Sequence, residues 1–266
     1  MLTFLYIDYG KSPYIALELK YSLSTLIYEY GSSPLRVVIY TDQPETYRNL
    51  DERVSVRDVS RSFAGMTRGG AYAHRIKPCA LLDALRTAEG GCVLLDSDSY
   101  ILPGFAAAID AALAIGAAMD LYEGRDPYPE AAGLAVDLPN FGRYVYDPSQ
   151  AVMFNSGLVA ADPKRHIAVV EDAIALIDAW LDHGMNLFKI EQIAISESFR
   201  VHGAAVAPMN ACFLHYCRRS LKRYMHWRLE RIERRQPEFR AGPPRIKHPR
   251  GRVRLFNYVN RIFKRY

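Results

Sequence analysis

Two aspartates one residue apart, Asp96 and Asp98, lie between two apolar stretches of the chain. Residues 93–95, which precede them, follow a pair of glycines and are typical of a buried strand in an α/β sheet. Ligands bind at the carboxyl ends of such strands, and alternate residues of an extended chain point the same way, so we expect both carboxylates at one site. Two such oxygen ligands suit Mn²⁺ or Mg²⁺ holding a diphosphate. A surface turn with two solvated aspartates is the alternative.

Strand-like and helix-like patterns alternate along the chain. A strand at 3–8, a helix from Pro13 to the residue before Gly31 and a strand at 35–41 form a βαβ unit with short joints. This arrangement predicts an α/β fold with a mostly parallel sheet. Further strands are predicted at 54–59, within 93–102, and at 117–121, 151–161, 201–208 and 213–216, and further helices at 78–88, 105–115, 163–182, 190–199 and 220–235.

Three segments depart from this alternation. Residues 63–73 are rich in glycine and small side chains, and we predict a loop there. Residues 123–150 show no sustained period, which favours either a lid or acceptor-binding loop, or a poorly ordered insertion. The predicted strand 151–161 is interrupted by Asn155, Ser156 and Gly157, which indicates a bulge or the close approach of a ligand to the backbone.

Charge divides the chain into two parts. Its 266 residues suffice for one large domain, or for one domain with an appendage. Residues 218–266 carry 17 Lys or Arg and 3 Asp or Glu, a balance of +14, so residues 1–217 carry −9 within the total of +5. A basic tail on an acidic body indicates contact with an anionic surface, either phospholipid or nucleic acid.

The tail also contains an amphipathic pattern. Residues 236–249 include four prolines and are predicted to be a linker. Residues 251–266 set apolar side chains at helical spacing against a cationic face, as an interfacial helix does; docking of that apolar stripe on the body is the alternative. No stretch reaches the roughly 18 apolar residues that span a bilayer, and the first ten residues lack a basic secretory start. The four cysteines form no CxxC pair, which favours reduced thiols in a cytoplasmic protein.

Further motifs occur in order around the carboxylate pair. They are Asp8-Tyr9, Ser22-Leu23, Arg75-Ile76-Lys77, Leu94-Leu95-Asp96-Ser97-Asp98, Phe154-Asn155-Ser156-Gly157, Glu191-Gln192 and His215-Tyr216-Cys217. In this order they resemble the glycogenin-like glycosyltransferases, most closely the bacterial lipopolysaccharide galactosyltransferases of that family. The likeness covers residues 1 to about 225. It implies a GT-A (Rossmann-like) fold at 1–217, followed by a basic helical extension at 218–266.

The resemblance also implies roles for individual residues. It implies a nucleotide-sugar donor, usually UDP-linked, a divalent ion such as Mn²⁺ or Mg²⁺, and hexosyl transfer with retention of the anomeric configuration. The residues that match the family's metal ligands are Asp96, Asp98 and His215. The candidates for contact with the donor are Asp8, Tyr9, Arg75, Ser97 and Lys222. The catalytic candidates are Gln192, Glu191 and Asn155, with Gln192 where retaining members place a group beneath the anomeric carbon.

The chain departs from the family pattern in two places. Glu191 stands where the family usually has Asp. After Tyr216 the family's Gly and Pro are absent and Lys222 comes one residue late, so Arg218 or Arg219 is an alternative phosphate ligand.

Other functions remain open at this point. A haloacid-dehalogenase-like phosphatase also has an Asp-x-Asp pair after an apolar strand, but it expects Thr or Val where Tyr100 stands. A nucleotidyltransferase expects a Gly-Ser pair farther upstream than Gly90 and Gly91. A nucleic-acid-binding protein could use the basic tail, and a catalytically silent relative could keep the fold.

We expect a metal-dependent retaining glycosyltransferase with a glycan or lipid-linked acceptor and no nucleic-acid partner. It would lie in the cytoplasm on the inner face of the membrane, held to an anionic surface by its C-terminal helix, and build a surface glycan such as lipopolysaccharide.

Overall fold

A seven-stranded, mostly parallel sheet lies at the centre of the part of the chain that the structure describes. The computed structural model describes residues 1–10, 12–48, 50–125, 128, 131–185 and 188–235. Its strands are β1 (Leu2–Asp8), β2 (Leu35–Thr41), β3 (Val54–Asp58), β4 (Cys92–Leu95), β5 (Ser99–Ile101), β6 (Ala117–Met119), β7 (Tyr122–Arg125), β8 (Ala135–Leu138), β9 (Gly142–Val145), β10 (Val152–Phe154), β11 (Leu158–Ala161), β12 (Val206–Pro208) and β13 (Phe213–His215). The helices are α1 (Pro13–Tyr30), α2 (Phe63–Met66), α3 (Ile76–Leu85), α4 (Phe105–Ile115), α5 (Pro163–Asp182), α6 (Ile190–Val201) and α7 (Arg219–Glu233).

The central sheet has the order β12-β6-β11-β4-β1-β2-β3. Strands β4, β1, β2 and β3 run parallel, β12 is parallel to β6, and β11 is antiparallel to both of its neighbours. The predicted α/β fold with a mostly parallel sheet is therefore confirmed. Because β1 and β4 are parallel, Asp8 at the end of β1 and Asp96 after β4 lie at the same end of the sheet, where the parallel strands have their carboxyl termini.

Helices cover both faces of this sheet. Phe4 and Tyr6 of β1 pack in one apolar cluster with α1 and α4. Leu5, which points to the opposite face, packs in a second cluster with α3, α5 and α6. Helix α5 begins where the sequence predicts, because Pro163 occupies its first turn and the Asp162 side chain accepts a hydrogen bond from Lys164 N at 2.8 Å.

The carboxylate pair lies on a turn and not on an extended strand. Strand β4 ends at Leu95, and β5 begins at Ser99 in a separate two-stranded sheet with β13. Ser99 Oγ closes the turn by donating to the Asp96 carbonyl at 2.6 Å. The expectation of an extended backbone at Asp96 and Asp98 was wrong, because a polar turn carries the chain from one sheet to the other.

Three other predicted elements differ from the structure. Within 123–150, strand β7 pairs with β10, and β8 and β9 form a hairpin, so the described part of this segment is ordered. The predicted loop 63–73 contains the short helix α2. Helix α6 continues to Val201, so the strand predicted at 201–208 is limited to β12. The non-periodic composition of 123–150 hid strands that are only four residues long.

The basic C-terminal part begins with α7, which packs against α1. The predicted linker at 236–249 and the predicted amphipathic helix at 251–266 lie outside the described residues. Across the described ranges, each helix is too short or too polar to cross a membrane.

Gly116 offers a test of how tightly the edge of the sheet is packed. A Cβ at this position would lie 2.1 Å from the Ala205 carbonyl oxygen, beside the junction between β6 and β12. We predict that Gly116→Ala lowers the free energy of unfolding by about 1–3 kcal/mol, because backbone must move to admit the methyl group. Urea denaturation followed by circular dichroism measures the change.

Gly65→Ala is the matched control. This glycine lies in α2, and a Cβ there meets nothing within 4 Å. Its stability should stay the same or rise slightly, since alanine favours helix over glycine. Equal effects of the two substitutions would contradict the packing described for Gly116.

Candidate functional site

Asp96, Asp98 and His215 come together at the carboxyl-terminal end of the central sheet. One ligand atom from each lies within 4.8 Å of the others. The His215 Nε2 atom is 3.2 Å from Asp98 Oδ1 and 3.6 Å from Asp96 Oδ2. Pairing of β13 with β5 places His215 opposite Ser99, directly after the Asp96–Asp98 turn. The structure thus brings together the three residues that the sequence marked as metal ligands.

The other ring nitrogen of His215 is held by hydrogen bonds. Nδ1 lies 3.0 Å from Asp120 Oδ2 and 3.1 Å from Asn155 Oδ1, and both of these atoms are acceptors. Because these acceptors hold the proton on Nδ1, Nε2 is the nitrogen that would give up its proton and offer a lone pair to an ion at the two aspartates. Histidine ligands of metal ions are commonly fixed in this way by a carboxylate. Two carboxylates and one imidazole so arranged fit Mn²⁺, which accepts oxygen and nitrogen ligands.

Asp120 is a site residue that the sequence analysis did not identify. It follows β6 and is buried. Asp96 was singled out because it is a polar residue at the carboxyl end of an apolar strand. The same rule applies to Asp120. The prediction of a strand at 117–121 concealed this signal by placing Asp120 inside the strand.

Gly157 explains the interruption of the predicted strand at 151–161. A Cβ at this position would lie 2.3 Å from His215 Nδ1, so the imidazole occupies the space that a side chain would need. The Gly157 carbonyl also accepts from Asp96 N at 2.8 Å. The close approach predicted here is therefore made by the chain's own histidine.

Two lysines neutralise the aspartates. Lys77 Nζ lies 2.7 Å from Asp96 Oδ1 and 3.8 Å from Glu191 Oε1. Lys222 Nζ lies 2.8 Å from Asp98 Oδ2. Lys77 belongs to the Arg75-Ile76-Lys77 motif, in which the sequence analysis had selected Arg75. The structure brings Lys222 to the pair although it stands one residue late for the family pattern.

The pKa values of these groups follow from burial and mutual attraction. Burial disfavours the charged form of Lys77, but Asp96 and Glu191 outweigh it and the pKa of Lys77 rises. Burial likewise opposes ionisation of Asp98, yet His215 and Lys222 hold its pKa well below the ordinary value. For His215, Asp120 and Asp98 overcome burial and raise the pKa well above its usual range. The site is thus charged and internally paired.

A second polar network connects the catalytic candidates. Glu123 accepts hydrogen bonds from Asn155 Nδ2 and Gln192 Nε2, each at 2.9 Å, and pairs with Lys189 at 2.7 Å. Burial would raise the pKa of Glu123, but Lys189 and the two amides lower it on balance. Glu123 lies in β7, within the segment whose sequence shows no period, so pattern analysis missed it.

Glu191 is buried beside this network. Its carboxylate accepts hydrogen bonds from Ser156 Oγ at 2.9 Å and from Tyr72 Oη at 2.7 Å. Ser156 N also contacts Gln192 Oε1 at 3.4 Å. The interrupted strand and the first turn of α6 therefore meet next to Lys77.

The remaining donor-contact candidates lie in different surroundings. Asp8 accepts a hydrogen bond from Tyr47 Oη, while its buried Oδ1 has no hydrogen-bond partner, and burial raises its pKa. The Tyr9 ring packs 5.6 Å from the Phe63 ring. Ser97 is half-buried on the turn between β4 and β5.

Arg75 is directed elsewhere. Its guanidinium forms two contacts of 2.7 Å with the Asp178 carboxylate and donates to the Gly65 carbonyl at 2.9 Å. These contacts join the residue before α3 to α5 and α2. Within the Arg75-Ile76-Lys77 motif it is Lys77 that reaches the aspartate pair.

Comparisons of the chain with models of known protein families and with curated proteins found no match in either set. The functional conclusion therefore rests on the residue types at the site and on their geometry.

Asp120→Asn tests the arrangement around His215. The amide keeps the size of the side chain but removes the charge that favours the proton on Nδ1. Loss of such a partner of a metal-binding histidine typically costs about 10–100-fold in metal affinity, and we predict a loss in this range for Mn²⁺. Calorimetric titration of the full chain with MnCl₂ measures it.

Asp137→Asn makes the same chemical change on the exposed β8–β9 hairpin. It should leave the affinity for Mn²⁺ within about twofold, since exposed charges at a distance are screened. If both variants bind Mn²⁺ like the unmodified chain, Asp120 does not support a metal ligand.

Proposed function

We propose that this protein is a metal-dependent retaining glycosyltransferase with a GT-A fold, which transfers a sugar from a UDP-linked donor to a glycan or lipid-linked acceptor. The observation that carries the proposal is the meeting of Asp96, Asp98 and His215 at the carboxyl edge of the parallel sheet, with Nε2 facing the aspartates. Two lysines flank these ligands within 3 Å of the aspartates. Such a set suits a divalent ion and the diphosphate of a nucleotide sugar.

The three ligands would hold Mn²⁺ or Mg²⁺, which neutralises the diphosphate leaving group as the glycosidic bond breaks. Lys77 and Lys222 lie beside the ligands and can contact the same phosphate oxygens by charge-assisted hydrogen bonds. Glu191, whose Oε1 lies 3.8 Å from Lys77 Nζ, is a second ion-pair partner of this lysine. The buried Asp8 and the adjacent Tyr9 lie at the same edge of the sheet and are our candidates for the nucleoside subsite.

Gln192, Asn155 and Glu123 supply the polar groups expected around the transferred sugar. Glu123 holds both amides by hydrogen bonds, which fixes their orientation before a substrate enters. By its resemblance to the glycogenin-like glycosyltransferases, Gln192 matches the residue that lies beneath the anomeric carbon in retaining enzymes. We therefore assign it that position, with Glu123 as its support.

Exposed aromatic rings next to this network are our candidates for acceptor contacts. Phe188 is 76% exposed and precedes Lys189, and Tyr122 is 48% exposed and precedes Glu123. Exposed apolar side chains beside a polar cleft mark binding surfaces. A glycan acceptor presents both hydroxyl groups and apolar ring faces and so suits this combination.

The alternatives account for fewer of these contacts. In a phosphatase with Asp96 as nucleophile, the arrangement of His215, Asp120 and Gly157 has no role. Nucleic-acid binding by the basic tail would leave the Asp96–Asp98 site unexplained.

A calorimetric screen of UDP-sugars with and without MnCl₂ tests the proposed function. We expect at least one nucleotide sugar to bind only when Mn²⁺ is present, and the product made with an acceptor glycan to keep the anomeric configuration of the donor by NMR. The proposal is lost if no nucleotide sugar binds under either condition.

Asp98→Ala should abolish Mn²⁺-dependent donor binding, because it removes one ligand and the partner of Lys222. Asp137→Ala, on the exposed hairpin, is the control and should bind the donor normally. Thermal unfolding of both variants shows whether the fold is kept. Unchanged donor affinity in Asp98→Ala would exclude the ligand role.

We further propose that the protein attaches peripherally to an anionic membrane surface in the cytoplasm. Helix α7 and its flanks expose six arginines, namely Arg218, Arg219, Arg223, Arg231, Arg234 and Arg235. Cationic side chains near an anionic bilayer each contribute about 1 kcal/mol of attraction. The predicted amphipathic helix at 251–266, which is the other candidate anchor, lies outside the described residues.

The double variant Arg219→Ser/Arg223→Ser should weaken partitioning of the full chain onto phosphatidylserine vesicles by about thirtyfold, because two charges contribute about 2 kcal/mol. The double variant Arg61→Ser/Arg143→Ser removes the same charge from exposed sites elsewhere and should have a much smaller effect. Vesicle co-sedimentation measures both, and competition with RNA separates lipid from nucleic-acid binding. Equal partitioning of the two variants would refute a role for α7.

A further inference from the structure

Glu18 is a fully buried carboxylate at the junction of α1 and α7. Its exposed fraction is 0%, and its Oε1 accepts a hydrogen bond from His226 Nε2 at 2.6 Å. Its Oε2 has no hydrogen-bond partner, but it lies 3.6 Å from Lys222 Nζ. A buried carboxylate is costly unless it is paired, and an unsatisfied buried oxygen calls for an explanation.

Both partners of Glu18 come from one face of α7. Lys222 and His226 are four residues apart and so lie one above the other on the helix. The His226 ring also stacks on the Tyr14 ring of α1, with centroids 4.3 Å apart and planes 8° from parallel. These contacts hold α7 against α1 and therefore set the position of the Lys222 backbone.

Lys222 lies between two carboxylates. Its Nζ is 2.8 Å from Asp98 Oδ2 and 3.6 Å from Glu18 Oε2. An ammonium has three N–H donors, and the contact with Asp98 is a hydrogen bond whereas the longer one with Glu18 is an ion pair, so the ammonium has donor capacity for a further acceptor. Burial raises the pKa of Glu18 on balance, while the hydrogen bond from His226 and the charge of Lys222 partly offset this effect and the charge of Asp98 adds to it.

We propose that Glu18 is a positioning residue that holds Lys222 at the metal site for contact with diphosphate oxygens. This inference rests on the proposed function. A divalent ion bound at Asp98 shares the charge that attracts Lys222 from that side. Glu18 is outside the ligand set and keeps its full attraction, so the ammonium stays beside the site while its free donor reaches the phosphate.

Calorimetric titration with pyrophosphate at saturating MnCl₂ tests this role without requiring the correct nucleotide or sugar. We expect Glu18→Gln to weaken pyrophosphate binding by about fivefold to tenfold, and Lys222→Met to weaken it at least as much. The double variant should bind like Lys222→Met alone, because Glu18 acts through that lysine. Additive losses, or an unchanged affinity in Glu18→Gln, would overturn the proposal.

Glu230→Gln is the matched control on α7, because it makes the same change of a carboxylate to an amide at a partly exposed residue that pairs with Arg234. It leaves Glu18, Lys222 and His226 untouched, so pyrophosphate affinity should stay within about twofold of the unmodified chain. Thermal unfolding reports folding of each variant. If Glu18→Gln does not fold, Glu18→Asp keeps the charge but withdraws the carboxylate, and it should weaken binding only when Lys222 is present.

The results separate this inference from the proposed function. If the unmodified chain with Mn²⁺ does not bind pyrophosphate, the role of Glu18 is refuted. If pyrophosphate binds with the expected coupling but no nucleotide sugar binds, the proposed function fails and the role of Glu18 stands. If a nucleotide sugar is turned over while Glu18 and Lys222 act additively, the function stands and this inference fails.

Discussion

The structure of this site depends on compensating the charges of Asp96 and Asp98. Both side chains are largely buried at the carboxyl-terminal end of the sheet, where unpaired carboxylates would be strongly unfavourable. The compensating groups come from three separate parts of the chain: Lys77 from α3, His215 from β13 and Lys222 from α7. The turn after β4 therefore ties together elements that are far apart in sequence.

Each of these three groups also faces a second buried acid. Lys77 faces Glu191, His215 faces Asp120 and Lys222 faces Glu18. This outer layer of carboxylates keeps each group in place by a contact that does not involve the aspartate pair. In the proposed function, a divalent ion and an anionic substrate would replace the contacts between the aspartates and the lysines, and the outer carboxylates would keep the lysines beside the site, which would limit the free energy of ordering on association.

Local patterns predicted the class of fold and the place of the Asp-x-Asp pair, whereas His215 and Lys222 were expected only from the resemblance of the motifs. Apolar stretches of strand length and helix start signals located most elements, and the Asp-x-Asp pair marked the correct edge of the sheet. The assumption of an extended chain at the pair was wrong, since residues 96–98 form a turn between two sheets. Asp96, Asp98 and His215 nevertheless come together, because the pairing of β13 with β5 places His215 next to this turn.

Of the outer layer, the sequence analysis named Glu191 through the motif resemblance, but it named neither Asp120 nor Glu18. Glu18 resembles any polar residue of an amphipathic helix, and only its packing against α7 shows that it is fully buried. The choice between Arg75 and Lys77 also depends on tertiary contacts, because Asp178, on a distant helix, engages the arginine. Asp120 alone carried a usable local signal, its position at the end of an apolar strand. Partner identity at long range is a property of the folded chain and not of sequence spacing.

The most direct measurement of the central claim is pulsed electron paramagnetic resonance of Mn²⁺ bound to the full chain. If Asp96, Asp98 and His215 hold the ion, the spectrum will show nitrogen coupling from a directly bound imidazole, and this coupling will disappear in His215→Gln. Bound Mn²⁺ without nitrogen coupling, or coupling that survives in His215→Gln, would contradict the account.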